Sequence, residues 1–260
     1  MNPWWQLLVV WLLAATVMIL GWRWQRRRAN AGIVDVLWSA SVGGSALVLA
    51  LCGDGAWPTR FLLALLGGAW GIRLAAHLWT RVSGEPEDGR YQNLRAHWNG
   101  DQLKFFAFFQ FQGLLSVLFA LPFLAVARNP DASGLWLTAA LAIWLLSVGG
   151  ESVADAQLAR FRADPANRGH TCREGLWHYS RHPNYFFEWL HWFAYVCLAV
   201  DSPIGWLAWS GPLVMYVFLR WISGIPFTET QALRSRGDDY RAYQRSTPML
   251  IPWFPKRTER

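Results

Sequence analysis

Charge is scarce in this sequence. Asp, Glu, Lys and Arg make up 16% of its 260 residues, where a soluble domain carries about a quarter. An ordinary water-facing surface is therefore excluded for most of the chain. Cysteine is scarce too: Cys52, Cys172 and Cys197 show no CxxC pair and no metal-ligand spacing, so neither a disulfide framework nor a metal site is expected. No GxGxxG follows a strand-like run, which argues against a Rossmann domain. Internal repeats, heptads and low-complexity segments are also missing. What the chain has instead is apolar and aromatic. It is 53% hydrophobic and 16% aromatic, and its 19 Trp fit rings placed at membrane interfaces.

Apolar runs recur at about 20 residues, the length a helix needs to cross ~30 Å of hydrocarbon. Helices are required there because lipid offers no partner for free backbone groups. The pattern predicts an all-α integral membrane protein with seven transmembrane helices, at 4–22, 32–52, 60–82, 105–127, 135–160, 183–200 and 203–224. A cytoplasmic tail follows over 225–260, and the whole chain, 1–260, reads as one domain. The first run precedes its basic cluster, an order that predicts a retained helix and not a cleaved signal peptide.

The connections alternate in character. Those near 53–59, 128–134 and 201–203 are short, with few cations, whereas 23–31, 83–104, 161–182 and 225–260 are longer and basic. Most of the 24 Lys and Arg fall on that second set, while Arg60 and Arg128 lie on the other side. By the positive-inside rule the N-terminus is outside and the C-terminus is cytoplasmic. The net charge of +7 thus reads as topology and lipid contact, not as a nucleic-acid surface. The same basic loops also hold the His, Asn, Tyr, Asp and Glu residues, as an anionic ligand at the cytoplasmic face would require.

Ionisable groups inside the apolar runs are costly unless paired or turned to a cavity. Asp35 lies at the start of the second run, with Trp38 one turn on. Either a cap-like role at the helix N-terminus or a functional one fits it. Trp70, Arg73, His77 and Arg81 recur at spacings of three and four and share one helical face. Their functional reading stands beside internal pairing of the deeper groups and snorkelling of Arg81. Arg73 needs a carboxylate, and Asp35 or Glu188 is available. The following stretch, GEPEDGRYQNLRAHW, is denser in hydrogen-bonding groups than a solvated connector needs. Gln110 and Gln112 read as interhelical hydrogen bonders.

Further on, Glu151, Asp155 and Arg162 share a face, and CREGLWHYSRHPNYFFEWLHW occupies 172–192. Pro183 suits a first helical turn. The helix N-terminus would then aim free N–H groups at an anion, beside Arg181 and His182. Glu188 sits four residues past Asn184 on the same face.

RHPNYFFE with GLW upstream and LIPWFP downstream resembles the steroid 5α-reductase family, including its bacterial members. VDVLW at 34–38, RLAAHLWTR at 73–81, EDGRYQNLR at 87–95, the 151–192 block, LRWISGIP at 219–226 and DDYRAYQRSTPMLIPWFP at 238–255 carry the likeness. The resemblance implies a seven-helix fold in a bacterial inner membrane, holding NADPH in a cavity open to the cytoplasm. It also implies reduction of the Δ4 double bond of a 3-oxo steroid or similar enone lipid, by hydride transfer to C5 and protonation at C4. By position, Asp155, Arg162, Tyr179, Asn184 and Glu188 fall where that family contacts its dinucleotide. His170 and Arg173 fall near a Tyr-Arg pair, and Arg220, Glu229 and Tyr240 in the last contacting region. Arg73, Arg90, Arg181 and His182 join the cofactor set.

The family pairs a Glu on its second helix with a Tyr on its third to hold the substrate carbonyl. This chain offers Asp35 for the Glu, and its third helix has no Tyr, which leaves His77, Trp70 or Tyr91 as the substitute. Asp35, His77 and Tyr91 are the expected catalytic groups, with Trp38 and Trp70 on the walls of a pocket for a lipophilic substrate drawn from membrane lipid. A carboxyl in apolar surroundings is a hydrogen-bond donor near neutral pH. No oligomer is predicted. Two alternatives remain: a membrane methyltransferase using S-adenosylmethionine, which shares an RHPxY-like motif, and a lipid-binding scaffold without catalysis.

Overall fold

A computed structural model describes residues 2–131 and 133–256, and these are all-helical, with no strand among them. In chain order the α-helices are α1 (Pro3–Arg28), α2 (Ile33–Cys52), α3 (Trp57–Gly84), α4 (Gly89–His97), α5 (Gln102–Ala127), α6 (Gly134–Ala163), α7 (Leu176–Tyr179), α8 (Pro183–Leu198), α9 (Ser210–Val217) and α10 (Ile225–Ser246). Five of them, α1, α2, α3, α5 and α6, are long and apolar enough to cross a membrane. Their surfaces agree with that. Along α1 only Gln6, Val10, Ala14, Met18, Gly21 and Gln25 are buried, a stripe at spacings of three and four, while Leu8, Leu12, Leu13 and Leu20 are exposed. Water would not tolerate so large an apolar face, and lipid would.

The chain forms two compact units. The first comprises residues 1–138 and 195–211, the second 139–194 and 212–260. In the first unit, α2 and α3 touch backbone to backbone. A Cβ added at Gly71 would lie 2.6 Å from the Gly43 Cα, and Gly67 faces the Ala46 methyl in the same way. Small residues let two helices approach closely enough to gain dispersion energy where lipid supplies no hydrophobic drive. Above this contact Trp38 meets Phe119 edge-on at 5.2 Å and Trp70 at 6.3 Å. Polar residues fasten the ends. Gln6 donates to the Cys52 carbonyl (2.7 Å), Gln25 to the Gln102 side chain (2.8 Å) and Asn129 to the Leu198 carbonyl (2.8 Å).

In the second unit, the Gly150 position of α6 leaves room for the Phe187 ring of α8. The Trp177 indole donates to the Ala154 carbonyl at 2.9 Å. Gly175, at φ +57°, makes the turn into α7 that other residues rarely adopt. The C-terminal segment is pinned by backbone and hydroxyl bonds. Arg181 N–H donates to Pro248 O (2.9 Å), Trp253 N–H to Tyr179 O (2.9 Å) and the Ser180 hydroxyl to Leu250 O (2.8 Å).

The elements differ from the sequence expectation in three places. The run expected as one helix over 203–224 is a 3₁₀ turn (Gly205–Trp209), then α9, then a π segment (Phe218–Ile222). Pro203, Gly205 and Pro212 deny it a continuous amide ladder. Residues 89–97, read as a loop, form α4, because the Asp88 side chain caps its first turn by accepting from Arg90 N–H at 2.9 Å. The tail begins with 22 residues of helix, α10, kinked at Gly237 (φ 52°, ψ −121°). Its apolar positions are too few to cross a membrane but enough to bury Ile225, Ala232, Tyr240 and Tyr243.

Candidate functional site

Two polar clusters stand out, one in each unit. The first is built on α4. With Asp88 as its cap, α4 points Tyr91 inward, and the ring is 6% exposed. The Tyr91 hydroxyl donates to Asp35 Oδ1 at 2.6 Å, and the Arg90 guanidinium donates to Asp35 Oδ2 at 3.2 Å and to Asp88 at 3.1 Å. Asp35 is therefore an acceptor here, held between a phenol and a cation. Burial, then the Asp35 charge, pushes the Tyr91 hydroxyl well above its usual pKa of 10.0. Burial works against the Arg90 charge, but Asp35, Tyr91 and Asp88 together outweigh it and the guanidinium is held charged. These groups, with Asn30, Gly32 and Arg81, line a crevice of about 40 Å³.

A second layer holds α4 in place. The Glu87 carboxylate accepts from Ala31 N–H (2.7 Å) at the start of α2 and from Arg95 (2.7 Å), and Arg95 reaches Gln25 at 3.3 Å. Sequence reasoning singled out Arg90 and Tyr91 but passed over Glu87 and Asp88. An Asp followed by Gly and two residues before an Arg is a cap signal that would have found the latter.

The second cluster centres on Glu229 of α10. Its Oε1 accepts from Arg181 Nε (2.8 Å), His182 Nε2 (3.2 Å) and the Tyr240 hydroxyl (3.4 Å), and its Oε2 from Gln244 (2.8 Å). Arg181 also donates to the Gln244 and Thr247 carbonyls at 3.0 and 2.9 Å. Burial opposes ionisation of Glu229, yet the His182 bond, the Arg181 charge and Gln244 together bring its pKa down to about 2. His182 lies flat on Tyr185, and burial lowers its pKa despite Glu229. Of the expected cofactor residues, Arg181, His182 and Tyr240 thus all bond to a fourth, Glu229.

Nearby in the sequence, Asn184 donates to Asp155 at 3.1 Å, joining two more of the expected set. Arg173 is paired with Asp239 at 2.7 Å. Arg162, His170 and Tyr179 are exposed, and Tyr179 meets Phe254 edge-on at 5.9 Å. Arg73, Glu188 and Arg220 are half-buried.

Of the three expected catalytic groups, the structure joins Asp35 and Tyr91. His77 is exposed on α3 and lies outside the crevice lining, whereas Arg81, one turn on, approaches Asp88 at 3.6 Å. Trp38 and Trp70, the expected pocket walls, pack against each other.

No curated protein and no solved structure matches the chain. The profile of one family, described as a protein of unknown function (DUF1295), matches residues 21–247 and so takes in both clusters. The chain belongs to the DUF1295 family.

Proposed function

We propose that this protein is an NADPH-dependent membrane oxidoreductase that saturates the C=C bond of a flat, lipid-soluble enone such as a 3-oxo-Δ4 steroid. One observation carries the reading. The steroid 5α-reductases, which the sequence resembles, pair an acid on the second helix with a tyrosine to grip the substrate carbonyl. Here Asp35 of α2 and Tyr91 of α4 lie 2.6 Å apart, although the tyrosine comes from a different element.

The donor set of the second unit suits a phosphorylated dinucleotide. Asp155, oriented by Asn184, is a partner for ribose hydroxyls. Arg162 presents positive charge at the exposed end of α6, and His170 is exposed on the loop that follows. The cofactor, when bound, supplies a hydride to the β-carbon of the enone.

The chain's own residues then manage the negative charge that gathers on the carbonyl oxygen. Tyr91 would turn its O–H from Asp35 to that oxygen, a donor worth roughly 10²–10³ in rate. A phenol with so high a pKa donates a hydrogen bond without losing its proton, so the proton that reaches the α-carbon comes from water. Arg90 holds Asp35 in place while the bond switches. The sum is one hydride and one proton, and a product two mass units heavier.

In this reading α8 and the segment through α9 to Ile222 complete seven spans, with the N-terminus outside and the basic loops in the cytoplasm. The concentration of Lys and Arg on alternate connections supports that orientation. The test is NADPH oxidation by purified protein in detergent with progesterone, with the product identified by mass. A product heavier by two units, lost in Tyr91→Phe, supports the reading. S-adenosylmethionine bound in place of NADPH overturns it in favour of a methyltransferase.

A further inference from the structure

The arginines that end α1 have no part in this chemistry. Arg23, Arg26 and Arg27 are exposed and share one helix face. They border an open cleft of about 380 Å³. Among the described residues none of the three forms an ion pair, whereas Arg90 and Arg95 in the next basic stretch are neutralised by Asp35, Asp88 and Glu87. Three like charges around one cleft repel each other, and the partial negative charge of the helix C-terminus offsets only part of that.

Their depth is set by the sequence. The apolar run from Trp4 to Trp22, at about 1.5 Å per residue, covers roughly the ~30 Å of hydrocarbon. Arg23 therefore begins where lipid phosphates lie. Trp22 is anchored by its indole N–H to the Gln102 carbonyl at 3.0 Å, and it carries the Arg26 guanidinium 4.9 Å above its ring. Toward the bilayer centre the same helix exposes Leu20 and Ile19, a surface for acyl chains.

We infer that Arg23, Arg26 and Arg27 form a headgroup site for an anionic glycerophospholipid of the leaflet on the side of the basic loops. The guanidinium forks take the phosphate oxygens in pairs, and the Trp22 ring lies at headgroup depth. The site is independent of the reductase reading.

Native mass spectrometry of the full chain in neutral detergent, titrated with dioleoylphosphatidylglycerol and with phosphatidylcholine, tests this. Phosphatidylglycerol should bind at least roughly tenfold more tightly than phosphatidylcholine. Exchanging all three arginines for Gln should weaken it on the order of 100-fold, at about fivefold per cation. Exchanging them for Lys keeps the charge and the membrane orientation but loses the forks, and should still weaken it roughly tenfold. Neutralising Arg234, Arg241 and Arg245 instead removes the same charge elsewhere and should leave binding unchanged. The inference is overturned if the Lys exchange binds as the parent does, if the control exchange loses as much as the Gln exchange, or if millimolar inorganic phosphate displaces the lipid.

Discussion

Replacing Glu229 by Gln tests the second cluster most directly. The exchange keeps the size of the side chain and its Oε1 acceptor, so Arg181, His182 and Tyr240 still find an oxygen. It removes the charge, and it sets an amide donor against the Gln244 donor, 2.8 Å from Oε2 in the parent. The Arg181 side chain is only 11% exposed, so its cation would be left nearly buried beside a neutral group. Breaking a buried pair costs about 3–5 kcal/mol. Arg181 retains two backbone carbonyls, which moves the expected loss down to roughly 2–3 kcal/mol. At about 2–4 °C per kcal/mol that is a fall of roughly 5–10 °C in melting temperature, read by thermal unfolding in detergent.

The pH dependence gives a second readout of the same group. The folded-state pKa of Glu229 is depressed from 4.5 to about 2, so its contribution is present above pH 4.5 and lost as pH falls toward 2. The amount is on the order of 2 kcal/mol once solvent screening is allowed for. The parent should lose that stability over the window, and Glu229→Gln should not. A variant that melts within about 2 °C of the parent at neutral pH, and keeps the parent's acid sensitivity, would refute the hub.

Tyr91→Phe should lower turnover about 10²–10³-fold with NADPH affinity unchanged, measured by steady-state kinetics and cofactor titration. With its pKa raised above 10.0, Tyr91 stays protonated through the alkaline range, so a pH-rate profile should show no loss from phenol ionisation between pH 8 and 10. Its contribution to stability, present below pH 10.0, should fade only at still higher pH. Asp35→Asn strips the carboxylate from both Tyr91 and Arg90 and should cost about 1–3 kcal/mol in thermal unfolding as well as activity. Gly71→Leu drives a side chain into the Gly43 backbone, 2.6 Å from its Cβ position, and should lower stability by at least about 1–3 kcal/mol. A Gly71→Leu protein as stable as the parent would mean the α2–α3 contact is not this close.

The helical class and the five long apolar helices could be read from the sequence, because length and composition decide whether a segment can cross hydrocarbon. The resemblance put Asp155 and Asn184 in one set of residues but did not pair them, and their hydrogen bond came from the fold. The break-up of 203–224 was written in Pro203, Gly205 and Pro212, but apolar composition masked it, since a window average does not register where the amide ladder fails.

By itself, then, the sequence determined the helical class, the long apolar helices and which connections collect positive charge, all properties of a residue and its near neighbours. Only the tertiary structure decided partners. It chose Tyr91 over His77 for Asp35, 56 residues away in the chain, and it turned Arg181, His182 and Tyr240 toward Glu229. A hydrogen bond depends on distance and angle between atoms that packing brings together, and no periodicity along the chain encodes which of several polar groups will arrive.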